Sequence, residues 1–453
     1  LDVISSDSDI GGRLPRGPHL LAPEEIAADQ RRRLIDAMLQ LISIDGYLTT
    51  SVAELIDQAG ISRRTFYELY ANREELLKGT FEAAGQATLR EVTLASERSG
   101  GPTRQLEALM RRLCREADER PGMMALCAVE ITAAGPSGYE LREALVGDYA
   151  ELIQKCLGAN EEHSIPRGLA STLVGAVQRE IAAHVRAGRI AELPALAPQL
   201  ARWMRSYHPV PQTLSLEEAS GQPSPSHGLD GLVGGRAPGT LTLAPEGYVA
   251  QVGRPSPSFL AHANRERLLD AVAQLNAKLG YSGLTVEAIA AQADLPERAF
   301  RASFKSKDEC FATAMELGHT KGQAIVERAR DGARDWREGV RNAVVALLEF
   351  LASEPCFTRL AFLDAPLAGR VTARRSNEHM AAYAQLMLDG APQRRSPPPA
   401  APATIVQGLA ELAYGHIAHG RVAELPRAAP QAAYLALAPF LGVTEAAEVA
   451  SGA

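Results

Sequence analysis

Residues Ser51 to Leu77 read SVAELIDQAGISRRTFYELYANREELL, and their spacing predicts a helix, a tight turn, a second short helix and the capped start of a third. In the first helix Val52, Leu55, Ile56 and Ala59 fall on one stripe, as an amphipathic helix requires. Gly60 supplies the turn, because a left-handed backbone conformation carries no side-chain penalty for glycine. Ile61 plugs the corner, and Ser62 stands where a hydroxyl caps the next helix. That helix, Arg63 to Tyr70, buries Phe66 and Leu69 and leaves Arg63, Arg64, Thr65, Tyr67 and Glu68 outside. Asn72 followed by Glu75 has the form of a capping box. A short polar helix held across a tight turn is a device for entering the DNA major groove. The competing reading is an ordinary helical hairpin with a solvated charged face.

Together with the preceding helix, the stretch resembles the DNA-binding head of the TetR (tetracycline repressor) family. The resemblance is carried by Gly46, Tyr47, Thr50-Ser51-Val52, Ala59-Gly60-Ile61-Ser62, Thr65-Phe66-Tyr67, Tyr70 and Glu75-Leu76-Leu77. Ile56 departs from it, standing where the family usually has a small alanine. The resemblance implies an all-α fold, with three DNA-reading helices and a larger bundle that dimerises and often encloses a small ligand. By matched position it implies that Arg63, Arg64 and Tyr67 face the groove. It also implies phosphate contacts from Ser51, Ser62, Thr65, Tyr70 and Arg73, which position the helix without reading sequence; Tyr70 is equally placed for the core.

At 453 residues the chain is too long for one core and suggests two or three domains. Few aromatics and short β-branched runs favour an all-α chain. The net charge of −7 argues against a protein coated in nucleic acid but permits a local basic reading surface on an acidic body. Cys114, Cys127, Cys156, Cys310 and Cys356 are scattered without a C-x-x-C pair, which fits a reducing cytoplasm better than a disulfide framework or a zinc site. The N-terminus has no basic-then-apolar leader pattern. No apolar run approaches the roughly 20 residues that span a bilayer, and the stretch from Ala343 to Ala352 is broken by Glu349. The expectation is a soluble cytoplasmic protein, with no membrane contact, metal or cofactor. There is no phosphate-cradling G-x-x-x-x-G-K, no metal-spaced His pair and no nucleophile elbow, so the chain does not read as an enzyme. His184, His416 and His419 read as interface or surface residues.

Taken in order, residues 1–28 read as a flexible tail in which Arg13 and Arg16 are either untethered or minor-groove arms. A first helix opens near Asp29, with Arg31, Arg32 and Arg33 in its first turn. Domain 1 is expected over 29–207, its head at 29–78 and its bundle at 79–207, with nine helices in all. Residues 208–261 are rich in Pro, Gly and Ser and read as a linker. Then the chain repeats itself. Arg33-Leu34-Ile35-Asp36-Ala37 returns as Arg267-Leu268-Leu269-Asp270-Ala271, Gly46-Tyr47 as Gly280-Tyr281, and Phe66 as Phe300, all at an offset of 234. Near the ends, Ala191-Glu192-Leu193-Pro194 recurs as Ala423-Glu424-Leu425-Pro426 at an offset of 232. A repeat this long marks duplication and fusion of a whole domain. Domain 2 is expected over 262–443, with its head at 262–312, its bundle at 313–443, and a tail at 444–453.

The second head keeps the buried skeleton and changes the surface. Asp294 replaces Gly60, Pro296 stands at the Ser62 position, Ala299 at Thr65 and Arg301 at Tyr67, while Thr285 keeps a hydroxyl at the Ser51 position. Thr285, Arg298, Arg301, Lys305 and Lys307 are its candidate DNA contacts, since arginine pairs bidentately with guanine; alternatively the head has lost DNA reading and survives as a packing partner. Met110, Met123, Met124, Cys127 and Ile131 in the first bundle, and Phe350, Phe357, Phe362 and Tyr383 in the second, line a ligand pocket or simply form core. The family resemblance favours a small apolar effector. The expected activity is ligand-responsive repression by a single-chain pseudo-dimer on a double-stranded operator with two unequal half-sites. The alternatives are a homodimer of fused chains with four heads, and a protein that sequesters a ligand or another regulator without binding DNA.

Overall fold

The computed structural model describes residues 22–157, 165–211, 257–392 and 395–452. Arg13, Arg16 and most of the expected linker lie outside them. Among the described residues the chain is all-α. The first half runs α1 (Pro23–Asp45), α2 (Val52–Ala59), α3 (Arg63–Leu69), α4 (Arg73–Glu97), α5 (Pro102–Glu119), α6 (Pro121–Ala128), a 3-10 turn (Glu130–Ala134), α7 (Pro136–Leu157), α8 (Arg167–Arg186) and α9 (Leu193–Arg205). The second half repeats this as α10 (Pro257–Leu279), α11 (Val286–Gln292), α12 (Glu297–Ser303), α13 (Lys307–Asp331), α14 (Trp336–Ser353), α15 (Pro355–Arg359), a π-helical turn (Leu360–Asp364), α16 (Arg370–Leu388), α17 (Ala401–Ala418) and α18 (Ala429–Leu441), and adds α19 (Val443–Ser451).

Three expected boundaries are corrected. The first helix opens at Pro23, not near Asp29, because a proline at the first helical position is pre-set for the turn and has no orphan N–H. Arg31, Arg32 and Arg33 therefore sit mid-helix rather than at a helix N-terminus. The same device starts α10 at Pro257, inside the stretch read as linker. The expected C-terminal tail is instead α19: the chain breaks at Gly442, where φ is 87°, and restarts as a helix that buries Ala446, Ala447 and Ala450.

The apolar residues assemble into unequal cores. One continuous cluster runs from Leu34 in α1 through both bundles to Ala450 in α19. The buried residues of α10 to α12 form a separate, smaller cluster with Phe311, Met315, Leu360 and Ala365. The halves meet where α8 lies along α17. Tyr207 donates its hydroxyl to the Leu435 carbonyl at 2.8 Å, and Tyr434 donates to the Tyr207 carbonyl at 3.2 Å. Trp203, fully buried, packs edge-on against Tyr207 at 5.2 Å.

In the first half, α6 lies so close to α1 that a Cβ on Gly122 would fall 1.8 Å from the Leu39 carbonyl oxygen. Gly122→Ala should therefore force the helices apart and lower stability by about 1–3 kcal/mol. Chemical denaturation measures this directly; an unchanged midpoint would show that the α1–α6 approach is not tight.

Candidate nucleic-acid interface

The first head is built by its caps. Ser51 Oγ accepts the Glu54 N–H at 3.2 Å, and the Glu54 carboxylate accepts the Ser51 N–H at 2.7 Å, closing a capping box at the start of α2. Gly60 ends α2 in the left-handed region, with φ 61°. Arg33 donates to the Ala59 carbonyl at 3.1 Å, a cation at the negative end of the helix dipole. Ser62 Oγ then accepts the Thr65 N–H at 3.0 Å to open α3. Phe66 is fully buried beneath α3, whereas Tyr67 is 51% exposed, and Arg63 and Arg64 are exposed beside it. Arg64 pairs with Glu68 at 2.8 Å, both largely in solvent, where water screens such a pair and it yields readily to a stronger anion.

Not all expected contacts point outward. Arg73 donates to the Thr50 carbonyl and stacks over the Tyr47 ring at 4.3 Å, tying the start of α4 to the α1–α2 turn. Tyr70 is half-buried against Phe66 at 6.4 Å. The hydroxyls of Ser51 and Ser62 are engaged as caps, with Thr65 half-buried beside Ser62.

The second head repeats this wiring with different residues. Thr285 caps α11 by accepting the Ala288 N–H at 3.1 Å. Asp294, at the Gly60 position, keeps the left-handed turn at φ 52°, which aspartate tolerates better than most residues. Arg267 donates to the Asp294 carbonyl at 3.2 Å, as Arg33 does to the end of α2. Pro296 opens α12 without a side-chain cap. Lys307 is the counterpart of Arg73 and is likewise turned inward, onto the Leu284 carbonyl at 3.1 Å and the Tyr281 ring. Arg298, Arg301 and Lys305 remain exposed, with Arg301 paired to Glu297 at 3.0 Å.

Two residues that sequence reasoning passed over join the heads to the bundles. Glu130, buried in the turn after α6, accepts the Tyr47 N–H at 3.0 Å and sits 3.4 Å from where a side chain on Gly46 would begin. Asp364, at the same repeat position, is buried near Gly280 and accepts a bond from the Asn276 amide at 2.9 Å, with Arg359 at 3.3 Å. The available signal was that one repeat register holds an acid in both copies within apolar surroundings.

The sequence signature of bacterial regulatory proteins of the tetR family matches residues 34–80 and again residues 268–314. This chain is a tandem tetR-family regulator. Solved structures that match part of this chain include the fatty acid degradation regulator FadR from Bacillus halodurans, 16% identical over 39% of this chain and 94% of that one, with a TM-score of 0.36. Another is FadR from Bacillus subtilis in complex with stearoyl-CoA, 16% identical over 39% and 97%, TM-score 0.35. A third is a TetR-like regulator from Rhodococcus sp. RHA1, 20% identical over 42% and 96%, TM-score 0.32. No curated protein sequence matches. Among the described residues no helix is long and apolar enough to cross a membrane.

The tetR-family bundles differ in their interiors. Met110, Met124, Cys127 and Ile131 are each at most 3% exposed and packed into the core, with burial pushing the Cys127 thiol up to about 12. The second bundle holds an apolar cavity of about 60 Å³ lined by residues including Val344, Leu348, Phe362, Met380 and Tyr383. Phe350 stands behind it, its ring 5.7 Å from that of Phe357. His319 faces this cavity, stacked on His379 at 4.4 Å, and its buried Nε2 has no hydrogen-bond partner among the described residues. Burial and the neighbouring His379 hold its pKa down at about 3, so the ring is neutral.

Burial drives the Glu130 carboxyl up to about 7, against the opposing pull of the Tyr47 N–H and Arg186. A carboxyl harder to ionise in the folded than in the unfolded chain stabilises the fold fully below its ordinary 4.5. That contribution is lost as pH rises through about 7. Glu130→Gln keeps an acceptor for Tyr47 and cannot ionise. Its melting temperature relative to the parent should therefore climb between about pH 5 and about pH 8. A pH-independent difference would mean that Glu130 is already ionised when folded.

Proposed function

We propose that the chain is a ligand-responsive repressor that acts as a single-chain pseudo-dimer and reads two non-identical half-sites, one with each head. The supporting observation is that both heads keep a hydroxyl cap on the second helix, a side-chain cap on the fourth, the left-handed turn and the helix-dipole cation, while presenting different exposed side chains. Arg63, Arg64 and Tyr67 stand out from the first head; Arg298, Arg301 and Lys305 stand out from the second. A head kept only for packing would have no reason to conserve this scaffold under an outward basic surface. Repression is the mode the family resemblance implies. For the effector, the second-bundle cavity suits a small apolar molecule, with the neutral His319, Arg330 and Tyr383 as the polar side chains of its lining. The cavity wall carries a route to the second head: Phe362 lines it, and Asp364, two residues on in the same π-helical turn, holds the Gly280 turn.

Selection of random duplex DNA by the full chain, followed by sequencing, tests this reading. It should return two dissimilar half-sites about one helical turn apart. Tyr67→Ala should relax preference in one half-site alone and Arg301→Ala in the other, each by about 1–3 kcal/mol of discrimination. A palindrome unaffected by Arg301→Ala would leave the second head without a reading role, and no enrichment at low salt would overturn DNA binding altogether.

A further inference from the structure

At the centre of the contact between the halves, Glu411 of α17 is buried between two arginines of the first half. Arg142 grips it bidentately, Nη1 at 2.7 Å and Nη2 at 2.8 Å, and Arg179 of α8 donates from Nε at 2.7 Å. Both guanidiniums lie over the Tyr414 ring, at 4.5 and 5.2 Å. Burial alone would raise the Glu411 carboxyl, but the two arginines hold it down at about 2.

The positions matter more than the bond. At the repeat offset of 232 that governs this end of the chain, Arg179 and Glu411 are the same residue of the duplicated domain. Equivalent residues touch one another only at a two-fold axis, so the pseudo-axis passes between them. Ala176 and Gly408, also equivalent at that offset, confirm the register: a Cβ on Gly408 would lie 3.5 Å from that of Ala176. The surroundings are asymmetric too. A Cβ on Gly175 would come within 2.3 Å of the Glu411 carboxyl carbon, so the acid needs a glycine opposite it. The second half has Gln407 at the Gly175 position.

We infer that Arg179, Arg142 and Gly175 on one side, with Glu411 and Gln407 on the other, form a pairing lock that accepts only a first half against a second half. Two first halves would bring their Arg179 side chains together with four guanidiniums and no carboxylate. Two second halves would oppose Glu411 to Glu411 and drive each acid into Gln407. Like charge thus acts against both wrong pairings and lost room against one of them, while in the correct one both guanidiniums bond the Glu411 carboxylate, which is specificity obtained by penalising alternatives. The partner this surface fits is a complementary half of the same kind of chain, and a four-headed dimer joined through like halves is excluded. The inference rests on the pseudo-dimeric pairing and not on what either head binds.

The test uses the full chain, cut once between residues 212 and 256 after folding, with both pieces retained. Isotope-labelled and unlabelled preparations are mixed under mildly destabilising conditions, returned to native buffer and weighed by native mass spectrometry. Exchanged pairs should all contain one first and one second half. Glu411→Ala combined with Gln407→Gly removes the charge and the bulk, so pairs of second halves should appear, whereas pairs of first halves should remain absent. Glu411→Arg places three guanidiniums together and should leave the halves unpaired, a result readable even if the double variant does not fold. Like-half pairs from the parent chain, or a double variant that stays strictly mixed, would overturn the lock. DNA plays no part in this measurement, so failure of the operator reading and failure of the lock remain separable.

Discussion

A carboxylate taken out of water must be neutralised where it lies, and in this protein the requirement falls on Glu411. Its charge is met by Arg142 and Arg179, which leave α7 and α8 to reach it. A buried ion set of this kind is not a strong source of net stability, because desolvating the groups offsets most of their attraction. What it supplies is directionality: the charges are satisfied only in one register of α8 along α17. The two tyrosine hydroxyls that cross between the halves, from Tyr207 and Tyr434, fall into place around that register.

The heads show how a duplicated scaffold drifts. What is fixed by backbone geometry has stayed: a left-handed residue ending the second helix, a cation over its last carbonyls, a hydroxyl opening it, and a side-chain cap on the fourth. What faces solvent has changed, from Tyr67 to Arg301 and from Thr65 to Ala299. Asp294 marks the limit of that freedom. It gave up glycine at a turn that still requires positive φ, and it falls on one of the few residue types whose short polar side chain tolerates the conformation.

Much of this was legible from local chemistry. Gly60, Ser62, Asn72 and the 234-residue repeat give the head, its turn and its duplication without reference to anything distant. The boundaries at Pro23 and Pro257 were missed because proline was read as a mark of irregular chain when it was serving as a helix starter. The C-terminal helix was missed because its short alanine-rich face becomes a signal only once α14 and α18 are there to pack against. Glu130 and Glu411 were illegible for a different reason. Their partners stand 83 and 269 residues away, and a lone acid in an apolar stretch does not name the cation or amide that will meet it. The inward turn of Arg73 and Lys307 belongs with these, since periodicity places a basic residue at a helix start but does not say which carbonyl it will choose.

The separation of the apolar clusters has a further consequence. The first head shares its core with the bundle beneath it, from Leu34 and Phe66 onward, so opening it means disturbing the main cooperative unit. The second head has a core of its own, joined to the body through Leu360 and Ala365 in the segment that also carries Phe362. Its free energy of local opening is set by that small cluster, apart from the stability of the whole. One head is thus continuous with the core of the bundles and the other carries a small core of its own, so two heads of nearly the same shape differ in how much packing their opening must break.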